Sequence, residues 1–309
     1  MHTYVIANFV VLKYRKVETK KLFKDLENFD KFGIPKNLKK VSRIVDVLCT
    51  GIVTYGGVGY VLFSLMGFID YENCIEKDQI ARNNIAQCGF TFKISYPYDV
   101  TEGALLYLHL IFEMSTSALF IFGTQSLMSG LPAVELINVR IDHLADLLNV
   151  MMVEENNDII WRKLRFCVMY HIHIIKLTEQ VNTYYRPGTT LVIISFGIIV
   201  GSTLLAVFED CTILTVACFF GIAGPVGVLC YSGQRMYQKS LAIGDTAFGL
   251  EWYNCNKKII KDIQFLIMRT KKPLTFQGAW GLGEFTLETF GKLMSAGYKF
   301  TSLRTSIQQ

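Results

Sequence analysis

Residues 188–232 read GTTLVIISFGIIVGSTLLAVFEDCTILTVACFFGIAGPVGVLCYS. Two apolar segments of 21 residues each, 188–208 and 212–232, are separated only by the short polar run Glu-Asp-Cys. An apolar run of about 18 or more residues is long enough to cross a bilayer as an α-helix. Because the connection is so short, we predict two antiparallel neighbouring spans.

The composition agrees with a membrane protein. The chain has 309 residues, of which 51% are hydrophobic and 18% are charged, whereas soluble domains carry about 25% charged residues. Further spans are predicted at 44–68 and 103–125, with a weaker final one at about 274–303. The predicted fold class is all-α, a polytopic transmembrane helical bundle. The net charge of +5 does not indicate nucleic-acid binding, because the basic residues lie in the loops.

Loop charges set the orientation, because Lys and Arg concentrate in cytoplasmic loops. Segments 13–43, 129–186 and 233–272 carry 11, 6 and 8 basic residues, whereas 69–101 carries 3 with five acids. We therefore place the three basic segments inside and the C-terminus outside. The predicted organisation is: 1–12, the tail of a truncated span; 13–43, a basic cytoplasmic loop; 44–126, two spans with outer loop 69–101; 127–187, cytoplasmic helices; 188–232, the span hairpin; 233–272, a cytoplasmic anchor helix; 273–309, the final span and an extracellular tail.

The N-terminal stretch MHTYVIANFVVL is apolar but gives only 12 residues before Lys13, and a span needs about 20. It is either a short interfacial anchor or the end of a span that begins upstream. The orientation favours the second interpretation, so we expect the sequence to be N-terminally incomplete.

Within 127–187, an amphipathic stripe recurs every three or four residues, formed by Val134, Ile137, Ile141, Leu144 and Leu148. Glu135, Asp142 and Asp146 are predicted on the opposite, polar side, and Pro187 is predicted to mark the start of the next span.

No enzyme motif is recognisable. Cys167 and His171 share a helix face, but His173 lies about 200° round the helix from His171, and no fourth zinc ligand has a suitable spacing. We expect no metal, no cofactor and no catalytic residue. Cys74 and Cys88 share the outer loop and either form a disulfide or remain two free thiols.

Aromatic and sulfur side chains are concentrated in the outer halves of the first two full spans. The candidate ligand-pocket residues are Tyr55, Tyr60, Phe63, Met66, His109, Phe112 and Glu113. Small-molecule pockets are mostly apolar with few polar groups, but an interfacial aromatic belt would give the same pattern. His109 and Glu113 are four residues apart on one face. They form either a polar contact in a cavity or between helices, or a pair wetted from outside.

The final span is only partly apolar. Phe285, Leu293, Met294, Phe300 and Leu303 can pack or constrict a path, whereas Thr286, Ser295, Thr301 and Ser302 can face water. Such a mixed helix is expected where one side meets protein and the other meets water.

The C-terminal third resembles the signature region of insect odorant receptors. The matching residues are Cys230, Tyr231, Gly233, Ser240, Ala247, Trp252, Tyr253, Arg269, Lys272, Pro273, residues 287–290, Tyr298, Phe300, Thr301 and Leu303. The order of basic loops, acidic outer loop, long inner helices, tight hairpin and weak final span is also similar. The chain departs from the family pattern at Gly297, Lys299 and Ser302.

The resemblance implies a family of seven spans with an inside N-terminus and an outside C-terminus, of which this chain covers spans three to seven. It implies a heterotetramer with obligate co-receptor subunits around a cation pore, in the plasma membrane of olfactory sensory neurons, gated by volatile apolar molecules. It places Leu293, Phe300 and Leu303 at the pore or gate, and Trp252 and Tyr253 on the anchor that joins subunits. The alternatives are a truncated, non-functional receptor product, a related gustatory receptor and, less favoured because no internal repeat is visible, a secondary transporter.

Overall fold

The computed structural model describes residues 16–69, 127–154, 156–209, 211–278 and 283–308, and the single positions 104, 107, 108, 111, 112 and 115. Over these residues the chain is helical almost throughout, as predicted. The α-helices longer than one turn in this part of the chain are α1 (Lys16–Glu27), α2 (Leu38–Ile69), α3 (Gly130–Met151), α4 (Asn157–Glu209), α5 (Ile213–Phe248), α6 (Lys257–Thr270) and α7 (Leu287–Gln308).

Among the described residues, three helices are long and apolar enough to cross a membrane. They are α2, α4 and α5, over Leu38–Gly59, Asn157–Phe208 and Thr215–Phe248. These helices contain the predicted spans 44–68, 188–208 and 212–232. Most of the predicted span 103–125 lies outside the described residues.

The predicted hairpin is confirmed, since α4 ends at Glu209, α5 begins at Ile213 and the two helices pack together. Thr212 caps α5, because its hydroxyl oxygen accepts a hydrogen bond from the Thr215 backbone N–H at 3.2 Å. The Thr215 hydroxyl oxygen in turn accepts one from the Thr212 N–H at 3.1 Å. This reciprocal capping box satisfies two amide groups that the helix start leaves unpaired.

Helix α4 is continuous through Pro187, so the helix before this proline extends directly into the apolar segment that begins at residue 188. A proline inside a helix removes one backbone donor. The hydroxyls just after the proline add hydrogen bonds to the same part of the helix: Thr189 Oγ1 donates to the Tyr185 carbonyl at 3.1 Å and Thr190 Oγ1 to the Arg186 carbonyl at 2.7 Å. The parts of α4 before and after Pro187 form one helix of 53 residues.

Helix α3 lies at the centre of the described core. The predicted apolar stripe is confirmed, because all five of its members are almost completely buried. The polar face of α3 was wrongly predicted at Glu135, which is also buried. Glu135 accepts hydrogen bonds from Ser232 Oγ at 2.6 Å and Arg235 Nη1 at 3.1 Å. Helix α5 brings these two donors against α3, so this side of α3 faces protein.

Buried Arg140 holds α1 against this core. Its Nη2 donates to the carbonyl oxygens of Leu26 at 2.7 Å and Asn28 at 2.9 Å. Its guanidinium carbon lies 4.1 Å from the centroid of the Phe29 ring. A cation at the carbonyl end of a helix complements the helix dipole. Arg140 therefore helps to attach the segment before α2 to α3, together with the buried side chains of Leu22 and Leu26.

The C-terminal region differs from the predicted layout. The expected anchor helix 233–272 consists of the end of α5, a short 3-10 helix at Trp252–Asn254, and α6. Asn256 ends this turn by capping α6, since its side-chain oxygen accepts a hydrogen bond from the Lys258 N–H at 2.9 Å.

Helix α7 begins at Leu287, later than the predicted start near residue 274. Before it, Phe285 N–H donates to the Phe276 carbonyl at 2.8 Å, next to an antiparallel bridge between Gln277 and Glu284. The rings of Phe276 and Phe285 are buried 5.3 Å apart. These residues therefore form an extended, packed turn, which the apolar pattern alone does not distinguish from helix.

Candidate gate helix and ligand pocket

Helix α7 packs closely on the apolar part of α4 through small residues. A methyl group added at Gly201 would lie 2.7 Å from Phe300 Cδ1 and 2.9 Å from the Gly297 carbonyl oxygen. One added at Gly297 would lie 3.0 Å from Val200 Cγ1. Glycines spaced four apart let helix backbones approach in this way. The contact requires Gly201 and Gly297 to have no side chain.

Thr301 stabilises the same contact between α4 and α7 by hydrogen bonding. Its hydroxyl donates to the Gly201 carbonyl oxygen at 2.8 Å and approaches the Gly297 carbonyl oxygen at 3.1 Å. Thr301 is buried, so the prediction that it faces water is wrong. A threonine hydroxyl can bond to backbone carbonyls within a helix interface, and this alternative is not visible from composition.

The N-terminal end of α7 is held between α4 and α5. The Phe290 ring lies 6.2 Å from the Phe196 ring of α4. A methyl group at Gly227 of α5 would lie 3.4 Å from Phe290 Cζ. Helix α7 therefore runs beside apolar stretches of α4 and α5, although its own hydropathy is low.

The opposite face of α7 is exposed and hydrophilic. Its side chains follow spacings of four and three residues and are Glu288, Lys292, Ser295, Lys299, Ser302 and Ser306. We call these six residues the polar stripe. Glu288 and Lys292 form an ion pair of 2.6 Å. At 100° per residue the six side chains fall within an arc of about 80°. The regular spacing therefore places these polar side chains on one face of α7, opposite the face that contacts α4.

Of the three predicted gate residues, Leu293 and Phe300 lie within about 20° of each other around α7, whereas Leu303 lies about 60° from Phe300, towards the polar stripe. Leu293 is half-buried against the core, about 160° from Ser295 by helical geometry. Phe300 is 39% exposed and meets Gly201, whereas Leu303 is 62% exposed at the edge of the polar stripe. Of the three, Leu303 borders the polar stripe most closely. The role of all three in a gate remains a prediction.

In the candidate ligand pocket, Tyr55 links α2 to α5. Its hydroxyl donates to the Ala217 carbonyl oxygen at 2.7 Å, and a methyl group at Gly221 would lie 3.1 Å from its ring. Phe112 lies in helical backbone with a half-exposed ring. The outer parts of α2 and α5 are therefore in direct contact.

The other predicted pocket residues are described less completely. Tyr60, Phe63 and Met66 lie on α2, but their side chains are not among those described. His109, Glu113 and the possible disulfide cysteines Cys74 and Cys88 lie outside the described residues. In the described part of the chain, no group of three His, Cys, Asp or Glu side chains could hold a metal ion.

The predicted anchor residues lie in the turn between α5 and α6. Trp252 Nε1–H donates to the Phe248 carbonyl oxygen at 3.2 Å, and Tyr253 is exposed. Phe248, Phe265 and Met268 are also exposed in this region. Helix α6 is fixed to α5 where Gly244 meets the Thr270 hydroxyl. The region therefore combines a buried attachment with an exposed apolar surface.

Sequence reasoning missed the glycine contact between α4 and α7. Its signal is a Gly-x-x-x-Gly pair at Gly197 and Gly201 and a Gly-x-x-x-Thr pair at Gly297 and Thr301. Small residues at this spacing are typical of membrane helix contacts. The sequence does not say which of these glycines makes the close contact. In the structure it is Gly201, because a methyl group added at Gly197 would make only ordinary contact with Ala296, at 3.8 Å.

Comparison with known proteins gives consistent matches. A family model described as "7tm Odorant receptor" matches residues 2–298. The chain is 25% identical over 282 residues to odorant receptor 67c of Drosophila melanogaster, covering 87% of this chain and 65% of that protein. It thus spans just under two thirds of that relative's length.

Solved structures show the same fold. The insect olfactory receptor OR5 from Machilis hrabei superimposes with a TM-score of 0.72 at 16% identity, over 99% of this chain and 78% of that one. The structure of that receptor in complex with eugenol matches with a TM-score of 0.68 at 14% identity, over the same shares of the two chains. The similarity extends through all the elements described above.

Proposed function

Because the chain belongs to the 7tm odorant receptor family, we propose that it is the ligand-binding subunit of an odorant-gated cation channel. In this proposal it assembles with co-receptor subunits into a heterotetramer in the plasma membrane of olfactory sensory neurons. Small volatile apolar molecules are its ligands. The family is one of receptors, and the proposal assigns no enzymatic activity.

The two faces of α7 carry the proposal. One face is fixed to α4 by Gly201, Gly297 and Thr301, whereas the polar stripe is exposed. Charged and hydroxyl side chains at membrane depth face water or protein, because contact with lipid is costly. A helix that combines these faces is suited to line a water-filled path between subunits. Leu303, at the edge of the polar stripe, supplies the apolar constriction.

The ligand pocket is proposed in the outer halves of α2 and the span that contains Phe112. The candidates are the seven predicted residues Tyr55, Tyr60, Phe63, Met66, His109, Phe112 and Glu113. Eugenol, named in the complex with OR5 from Machilis hrabei, is a small aromatic molecule of the class that such a pocket would take. A ligand opens the path only to the extent that it binds the open state more tightly than the closed state.

Subunit contacts are proposed at the cytoplasmic end, through Trp252 and Tyr253. The exposed apolar side chains of Phe248, Phe265 and Met268 support this position. Aromatic and Met side chains are enriched in the buried centres of protein interfaces. The anchor therefore lies well away from the proposed pocket.

The first test is a current recording. The complete reading frame of the transcript, including whatever lies upstream of Met1, is expressed in cultured cells with and without the co-receptor. We expect odorant-evoked cation current only with both subunits, for at least one member of a panel of volatile phenols, esters and alcohols. Absence of current for the whole panel, with both proteins at the cell surface, contradicts the proposed function. A response to non-volatile tastants alone would favour the gustatory alternative.

The pocket is tested by alanine variants at Tyr60, His109 and Phe112. We expect shifted odorant dose–response curves with unchanged surface expression. The matched control is Ile44→Ala, an exposed residue at the cytoplasmic end of α2. Unchanged curves for all three pocket variants would remove these residues from the pocket.

The water-facing side of α7 is tested by neighbouring cysteines. Ser302 belongs to the polar stripe, whereas Thr301 is buried against α4. We expect Ser302→Cys to react with a charged, membrane-impermeant thiol reagent during odorant stimulation, with a change in current. Thr301→Cys is the control and should react slowly. Equal reactivity of the two cysteines argues against α7 as a pore wall.

A further inference from the structure

Lys299 lies beside the middle of the apolar part of α4. On one side of it in sequence, Ala296 Cβ lies 3.8 Å from where a methyl group added at Gly197 would be, and on the other side Thr301 bonds to Gly201. These glycines lie in the middle of the apolar stretch 188–208 of α4. The backbone of Lys299 therefore lies near half the height of a membrane-crossing segment.

The ammonium group of Lys299 has no ion-pair partner among the described residues. In contrast, the other lysine of the polar stripe, Lys292, is paired with Glu288 at 2.6 Å. Lys299 is exposed on the surface of the single chain. The polar stripe thus contains one neutralised lysine and one lysine whose charge is uncompensated.

Lipid cannot surround this lysine at low cost, because a charge at the bilayer centre is expensive. Its neighbours on the same face are Ser295, four residues before it, and Ser302, three residues after it. Hydroxyls at these spacings continue a hydrophilic surface along the helix. Lys299 therefore lies on the hydrophilic face of α7, which is suited to contact water.

We propose that Lys299 is a fixed positive charge in the conduction path, which makes channels that contain this subunit less permeable to divalent than to monovalent cations. The inference rests on the proposed function, since it concerns the path that α7 lines. The physical reason is that one positive charge repels a divalent cation twice as strongly as a monovalent one at the same distance. A ring of charged side chains selects permeant ions in this way.

The size of the effect follows from Coulomb's law. For an ion about 8 Å from the ammonium group in a water-filled path, removal of the charge favours divalent over monovalent passage about twofold per subunit. Salt screening reduces this value at distances near the Debye length, about 8 Å at physiological ionic strength. The experiment therefore compares variants in one ionic condition.

The test is the ratio of calcium to sodium permeability, obtained from reversal potentials of odorant-evoked current in cells that express the complete receptor and the co-receptor. We expect Lys299→Gln to raise the ratio by at most about twofold, and Lys299→Arg to leave it unchanged. The matched control is Lys292→Gln, at the paired lysine of the same stripe. Its effect should be smaller, because Glu288 already neutralises Lys292.

A second measurement removes the charge at position 299 and then restores it chemically in the same protein. Lys299→Cys should show the raised calcium permeability of Lys299→Gln. Modification of this cysteine with a thiol reagent that carries a trimethylammonium group should lower the calcium permeability again, whereas a neutral reagent of similar size should not.

Two outcomes overturn the inference while the wild-type receptor conducts. One is an unchanged permeability ratio in Lys299→Gln at normal surface expression. The other is a Lys299→Cys current that cationic and neutral reagents affect equally. A wild-type receptor without odorant-evoked current contradicts the proposed function instead, so the two failures are distinguished.

Discussion

The hydroxyl of Thr301 donates a hydrogen bond of 2.8 Å to the backbone carbonyl of Gly201, and it thereby links α7 to α4 at membrane depth. Thr301→Val keeps the side-chain shape and removes the donor. We expect a loss of about 0.6 kcal/mol, the average for side-chain hydrogen bonds between membrane helices. Thermal stability of the purified receptor, followed by fluorescence-detected size exclusion, measures the change. Thr301→Ser keeps the hydroxyl and serves as the control, and an equal loss in both variants would assign the effect to packing.

Gly197 and Gly201 of α4 should differ in their tolerance of alanine. At Gly201 the added methyl group would lie 2.7 Å from Phe300 and 2.9 Å from a backbone oxygen, whereas at Gly197 it would meet Ala296 at 3.8 Å. We expect Gly201→Ala to destabilise the receptor by about 1–3 kcal/mol, as over-packed contacts do, and Gly197→Ala to have little effect. Surface expression and thermal stability distinguish the two. Similar behaviour of the two variants would mean that α7 is not held as described.

Tyr55→Phe removes the hydroxyl that donates to the Ala217 carbonyl at 2.7 Å. We expect a stability loss of about 0.5–1.5 kcal/mol, because the ring contact between α2 and α5 is retained. The control is Tyr231→Phe, at an exposed tyrosine of α5, which should be neutral. If Tyr55 also lines the ligand pocket, Tyr55→Ala should shift the odorant dose–response curve beyond the shift in Tyr55→Phe.

Arg140→Met should weaken the attachment of α1 to the core without removing the bulk of the side chain. Two hydrogen bonds to carbonyl oxygens, at 2.7 Å and 2.9 Å, are lost. At about 1 kcal/mol for each bond, the segment that follows α1 should open at least tenfold more often. Limited trypsin digestion measures this opening through cleavage after Lys31 or Lys36. Arg162→Met, at an exposed arginine, is the control, and equal cleavage rates in the two variants would contradict the assignment.

His143 gives the stability of the core around α3 a dependence on pH. Burial lowers its pKa from 6.5; Asp146 opposes this change, and the charges of Arg140 and Lys36 add to it. The unfolded chain then binds a proton at higher pH than the folded chain, so the folded state loses stability as pH falls below about 6.5. We expect the drop in melting temperature between pH 7.5 and pH 5.5 to be smaller in His143→Gln than in the wild type. An identical drop would show that His143 does not contribute.

Much of the fold follows from the sequence because a bilayer imposes simple rules. The lengths of α2, α4 and α5, the tight hairpin at Thr212 and the buried stripe of α3 all reflect hydrophobic length or helical periodicity. The mixed composition of α7 likewise indicated that the helix has two different faces. These features depend on many residues at once, so single substitutions do not obscure them.

Other features depend on which elements meet, and the sequence of one element does not contain that information. Glu135 was predicted to face solvent from the pattern of its own helix, but in the structure α5 places Ser232 and Arg235 beside it. Thr301 was likewise predicted to face water from the composition of α7 alone. The start of α7 was predicted too early. Phe276 and Phe285 are buried in an extended turn, and buried residues of a helix would be apolar in the same way.

The continuous path of α4 through Pro187 has a mechanical consequence. A helix of 53 residues is about 80 Å long, roughly twice the full thickness of a bilayer with its headgroups. The apolar stretch 188–208 occupies only one end of this rod, so a tilt of that end is carried to the other end. A tilt of about 5° around Gly201 moves Trp161 by about 5 Å, because the arm between them is about 60 Å long.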